Sequence, residues 1–167
     1  MNKDLNLSSP ATRRTVVKGA AWSVPVIAAA IAAPAASAST IELGALNLSG
    51  TCGVLGVIGP GFTLTASATA PIPAGTVITI SGSGVANIGV FSITGGLASV
   101  AVLSGTSRQI TVTSEIPAGS TLAMRTTLSI SVAFNLSASV ALPSGYTATG
   151  AKTAGTVSST LILCSAS

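Results

Sequence analysis

Histidine is absent from the 167-residue sequence, charged residues make up only 6% of it, and side-chain carboxylates number three. These shortages exclude whole classes of chemistry. Ser-His-Asp and Cys-His arrangements need an imidazole to carry the proton, so both fail on inventory. Asp4 is the single aspartate, which leaves Glu42 and Glu115 as the carboxylates of the rest of the chain. Glu42 falls in an expected N-terminal strand and Glu115 just before a turn. Both read as solvated surface charge, and paired-carboxylate hydrolysis is not expected of them. Arg108 and Arg125 read the same way, with pairing to the two glutamates or a carboxylate ligand as the alternatives. Aromatics are scarce at 3%, and Tyr146, the sole tyrosine, makes no platform for stacking a sugar. No G-x-x-x-x-G-K-[ST] phosphate loop occurs. Two cysteines without His or a later Asp cannot complete a metal site, so neither a metal nor a cofactor is expected. A Ser-Lys dyad on Lys152 stays open because serine is abundant, yet nothing marks one serine as a nucleophile.

Long apolar runs are also few. The one long uncharged apolar stretch lies between Lys18 and Glu42, and elsewhere apolar positions are interleaved with Ser, Thr and Gly. That pattern suits a strand-rich domain that does not span a membrane.

The N-terminal stretch has the parts of a cleavable leader. Thr12-Arg13-Arg14-Thr15-Val16-Val17-Lys18 forms a positive region, Gly19 to Ala33 an apolar region, and Ala36-Ser37-Ala38 an Ala-x-Ala site, with Ser39 as the first residue after cleavage. The segment resembles a twin-arginine signal: Arg13 and Arg14 follow a hydroxyl residue, two apolar residues stand at the expected offset, and Lys18 follows. It departs from that pattern at Val16, where Phe is commonest. An ordinary secretory signal holding two arginines is the alternative. The resemblance implies export of an already folded chain by the twin-arginine machinery. We therefore expect residues 1–38 to be a removed signal peptide and residues 39–167 to be one domain, long enough for a single core.

Removing the leader also removes much of the charge. Arg108, Arg125 and Lys152 remain against Glu42 and Glu115, a net charge of +1. Three scattered cations make no patch for nucleic acid or an anionic membrane.

Period-2 alternation is clearest from Leu122 to Leu142. Even positions run Leu122, Met124, Thr126, Leu128, Ile130, Val132, Phe134, Leu136, Ala138, Val140, while odd positions are small or polar apart from Arg125. Such a pattern marks a half-buried strand, and its length predicts a bend, a bulge or two strands. Further strands are expected at 40–48, 53–58, 62–70, 76–81, 86–93, 97–103, 107–114 and 155–164. Gly59-Pro60-Gly61, Ser81-Gly82-Ser83-Gly84 and Gly95-Gly96 are read as the turns between them. Many short strands without a helical pattern predict an all-β, antiparallel sandwich or barrel, and an immunoglobulin-like β-sandwich is the expected fold. A small motif recurs as Ile72-Pro-Ala-Gly75-Thr76, Ile116-Pro-Ala-Gly119-Ser120 and Leu142-Pro-Ser-Gly145-Tyr146, and reads as a reused strand-ending turn. Thr63, Thr65, Ser67 and Thr69, with Thr111 and Thr113, make short hydroxyl ladders that suit an exposed strand or an ordered ligand surface.

This motif, the Thr/Ser/Gly-rich strands and the leader together resemble small exported β-sandwich proteins of actinobacteria. The resemblance implies a secreted or cell-surface location and no particular activity. In an exported chain the even cysteine count predicts a Cys52–Cys164 disulfide, tying the first strands to the last. The functional expectation is a non-enzymatic surface or secreted module with a structural, adhesive or binding role. One alternative is a subunit of a self-assembling surface structure, with a cell-envelope or self-association partner, because uncharged strands leave edges unprotected. The other is a secreted hydrolase with an unrecognised Ser nucleophile.

Overall fold

Alternating apolar and small polar residues leave this chain one economical way to bury its side chains, and every regular element among the described residues is a strand. The structure, a computed structural model, describes residues 39–53, 58–160 and 163–167. The expected leader, with Arg13, Arg14, Lys18, Ala36 and Ala38, lies outside the described residues; Ser39 is the first of them and is exposed. Ser39–Ser167 make up one compact unit. No helix among the described residues is long and apolar enough to cross a membrane.

The strands are β1 (Ile41–Glu42), β2 (Asn47–Thr51), β3 (Ile58–Thr65), β4 (Val77–Thr94), β5 (Ala98–Ser104), β6 (Ser107–Val112), β7 (Thr121–Ala141), β8 (Tyr146–Thr147), β9 (Ala154–Thr160) and β10 (Leu163–Ala166). The main sheet is antiparallel and follows the path β10-β9-β7-β4-β6-β5, with β3 added to β7 and β2 to β3. β1 and β8 form a separate two-stranded parallel pair.

Two long strands organise the fold. The first part of β7 pairs with β3 and with the second part of β4, whereas its last part pairs with β9 and with the start of β4. In this way β4 and β7 pass together from one half of the sheet to the other. On the far side Leu48 donates its N–H to the Lys152 carbonyl at 2.8 Å and Lys152 donates to Leu46 at 2.9 Å, so β2 meets the approach to β9 and the sheet folds back on itself. One core cluster fills the interior. It includes Leu46, Leu48, Phe62, Leu64, Ile78, Ile80, Ile110, Leu122, Met124 and Leu136, all at most 1% exposed.

The β7 alternation is realised at its described positions: Leu122, Met124, Thr126, Phe134, Leu136 and Ala138 are buried, while Thr127, Asn135, Ser137 and Ser139 are exposed. Two of the expected turns are not turns. Ser81-Gly82-Ser83-Gly84 lies inside β4, which runs unbroken across the two segments expected at 76–81 and 86–93. Register shifts against β7 on either side of Val85 and between Ile88 and Phe91 mark bulges there. Gly84 has φ +73° and a side chain would collide with the Ala133 carbonyl, so glycine here serves a close crossing of strands, the other use of its missing Cβ. Gly59-Pro60-Gly61 likewise lies within β3, where the register against β7 shifts between Ile58 and Gly61. The expected 155–164 strand divides into the antiparallel hairpin β9–β10. Gly95-Gly96 does separate β4 from β5.

All three copies of the Pro-x-Gly motif form the same turn. Thr76, Ser120 and Tyr146 donate their N–H groups to Pro73, Pro117 and Pro143, at 3.3, 3.0 and 3.3 Å, around positive-φ glycines. Pro therefore stands at the first residue of each turn and Gly at the third, the position whose positive φ a type II turn needs. The leading Ile72 and Ile116 also pair with each other in an isolated bridge and are both buried.

Candidate functional site

Among the described residues the charged side chains stand at separate places in the fold, and those of Glu42, Arg108 and Arg125 engage the protein's own backbone. Glu42, at the end of β1, is exposed but far from merely solvated. One oxygen accepts N–H groups from Gly44 (2.9 Å) and Thr149 (2.6 Å), and the other accepts the hydroxyls of Thr147 and Thr149 (3.0 Å each). The Thr149 backbone N–H, then that of Gly44 and the two hydroxyls, hold its carboxyl below the ordinary value of 4.5. The expectation of a simple surface charge is corrected: this carboxylate laces β1 to the segment after β8. Glu115, in the link between β6 and β7, is exposed.

Arg108 departs further from expectation. In β6, whose burial alternates strictly, it shares the inward face with Ile110 and Val112 and is 7% exposed. Its guanidinium donates to the carbonyls of Ser104, Gly105, Ser107 and Ile88 and to Asn87 Oδ1. A planar fork with five donors suits such a ring of acceptors, which hydrates the buried charge with carbonyl dipoles in place of water. Arg125 is half-buried on the outer face of β7, donating to Phe62 O at 3.0 Å and Thr63 Oγ1 at 3.2 Å. Alternation within Ser107-Arg108-Gln109-Ile110-Thr111-Val112 was the available signal for Arg108. Glu42 offered none, because Thr147 and Thr149, which supply three of its four bonds, lie more than 100 residues on.

Cys52 and Cys164 are joined in a disulfide, S–S 2.12 Å and Cα–Cα 5.8 Å, across a sequence separation of 112 residues. It ties the end of the β2 segment to β10. Lys152 is exposed, and its backbone joins Leu46, Asn47 and Leu48. Tyr146 is half-buried and packs against the core. Thr63 and Thr65 lie on the outer face of β3, paired across to Ser49 and Asn47 on β2.

A shallow groove of about 340 Å³ lies where the bends of β4 and β7 approach β9, lined by Ser83, Phe134, Asn135, Ser158, Ser159 and Thr160 among others. Hydroxyls and one amide can exchange hydrogen bonds with a neutral polar ligand, but none of these groups is an acid, a base or an activated nucleophile at neutral pH. No group of three or more His, Cys, Asp or Glu able to hold a metal occurs among the described residues.

Comparison with protein-family models, with curated proteins and with solved structures finds no match to this chain.

Proposed function

We propose that this chain is an exported, non-enzymatic module, an immunoglobulin-like β-sandwich acting at the cell surface or in the medium in a structural, adhesive or binding role. One observation carries the reading: among the described residues the few ionisable side chains do not converge on a site. Glu42 clamps a loop, Arg108 binds a hairpin from inside, and Arg125 braces β3 against β7. Groups committed in this way stabilise a scaffold and leave the polar Ser/Thr faces as its outward chemistry. The disulfide supports export, since such bonds persist in oxidising compartments. Export by the twin-arginine machinery through residues 1–38 belongs to the same reading.

Two measurements test it. N-terminal sequencing of the protein recovered from culture medium or envelope is expected to begin at Ser39, and recovery only from the cytoplasm with an intact N-terminus would overturn export. A serine-reactive activity probe is expected to label no single serine in the folded protein. Labelling confined to one serine and lost on unfolding would replace this reading with that of a secreted hydrolase.

A further inference from the structure

Strand β5 ends the sheet path, and β6 is its one hydrogen-bonded neighbour among the described residues. Its sequence, Ala98-Ser-Val-Ala-Val-Leu-Ser104, carries no charge and no proline, and the flanking residues 95–97 and 105–107 are uncharged too. Natural sheet edges are blunted by charge, proline or a covering segment. This one instead concentrates apolar surface. Of the six large hydrophobic residues exposed among the described residues, four fall within seven consecutive positions: Leu97 (67%), Val100 (40%), Val102 (69%) and Leu103 (54%).

The backbone direction of the open edge follows from the register. Val112 exchanges hydrogen bonds with Thr76 and Gly75, and so faces away from β5. Ala98 stands opposite Val112, and Val100 and Val102 follow at two-residue steps opposite Ile110 and Arg108. In an antiparallel ladder such non-bonded opposites both turn their N–H and C=O groups outward. Leu97 confirms the alternation, since its carbonyl accepts the Thr113 N–H on the β6 side. The open edge therefore presents the donors and acceptors of Ala98, Val100 and Val102.

We propose that β5 pairs with β5 of a second copy of this chain, antiparallel about a two-fold axis through Val100. That register places Val100 against its own counterpart and Ala98 against Val102 of the second copy. All three outward-facing residues then exchange both backbone hydrogen bonds. It also sets Leu97 beside Leu103 of the second copy, so each of the four exposed hydrophobics gains an apolar neighbour. Self-complementarity of this kind singles out a second copy as the occupant, because one patch serves both partners and the interface closes at two chains. A net charge of +1 on residues 39–167 adds little repulsion. The pairing rests on the preceding reading only for where the copies meet; the contact itself needs just the folded chain.

Light scattering on the purified, disulfide-bonded protein over a concentration series tests it. The expected mass is two chains, falling to one on Val100→Lys and again on Val102→Lys, each of which adds a charge at an already exposed position. Leu163→Lys, at the opposite end of the sheet path, is expected to keep two. Circular dichroism is expected to show unchanged strand content in all three variants. Val100→Cys is expected to form an interchain disulfide on oxidation, since hydrogen-bonded opposites stand about 5.5 Å apart at Cα, within disulfide reach. A one-chain wild-type mass at every concentration, a dimer that survives both lysine variants, or growth beyond two chains would each overturn the proposal. None of these outcomes bears on serine labelling or on the N-terminus found after export, so the two readings fail separately.

Discussion

Glu42 shows how an exposed residue can still couple stability to pH. Its four hydrogen bonds all favour the ionised form, with the Thr149 N–H foremost, and hold its folded-state carboxyl below 4.5. A depressed carboxylate contributes stability that is fully present above the unfolded value and is lost as pH falls through the lower folded one. Urea midpoints of wild type and Glu42→Gln should therefore differ by a constant amount from neutral pH down to about 5, and the difference should shrink below the ordinary carboxylate range. Arg108 makes the opposite case, a buried cation whose surroundings are carbonyls. Arg108→Met removes every donor from that ring, and leaving buried acceptors unpaired costs about 1–3 kcal/mol in unfolding free energy. Arg108→Lys keeps the charge but replaces a planar fork by a point, so urea unfolding should place it between wild type and Arg108→Met.

Glycine has two uses in these strands, and the difference between them appears only when elements pair. Gly119 sits in a Pro-x-Gly turn with φ +73° and no atom within 4 Å of where a Cβ would stand. Gly119→Ala should cost about 1–2 kcal/mol, the conformational penalty alone. Gly84 has the same φ, but its Cβ would meet the Ala133 carbonyl at the crossing of β4 and β7. Gly84→Ala should therefore cost clearly more than Gly119→Ala in thermal or urea unfolding, because backbone must move as well. The same contrast explains what the sequence revealed. The β7 strand was legible because one of its faces is buried and the other is not, which imprints a period of two. Ser81-Gly82-Ser83-Gly84 reads as a turn although it lies within β4, because a glycine cluster has the same composition in a hairpin and in a bulge. Its role is set by Ala133 and Phe134, some 50 residues away. Arg108 shares the parity of Ile110 and Val112, so strand alternation alone points it inward, against the general rule that charge stays outside. Only long-range pairing shows that β5 is the last strand of the path, so the meaning of its apolar run depended on the fold.

At the scale of the molecule, β3 with β2 beside it pairs with the first part of β7, β9 with β10 beside it pairs with the last part, and the bridge from Cys52 to Cys164 holds β2 and β10 together. The backbone already brings them close: Gly50 donates to Ser167 at 2.8 Å, and Ser167 and Thr156 exchange bonds beside it. The native state thus needs little from the covalent link, and its main effect falls on the unfolded chain, which it closes into a loop of 112 residues. In the chain-entropy model a loop on the order of 100 residues corresponds to roughly 4 to 5 kcal/mol. The Cys52→Ser, Cys164→Ser double variant should therefore keep its strand circular dichroism in dilute buffer yet unfold at a markedly lower urea concentration. Its m-value should rise, because the open unfolded chain exposes more surface than the closed one. Loss of strand structure in buffer alone would instead mean that the bridge creates the fold. Export of an already folded chain from a reducing compartment would then lose its physical basis, since the disulfide could form only after crossing.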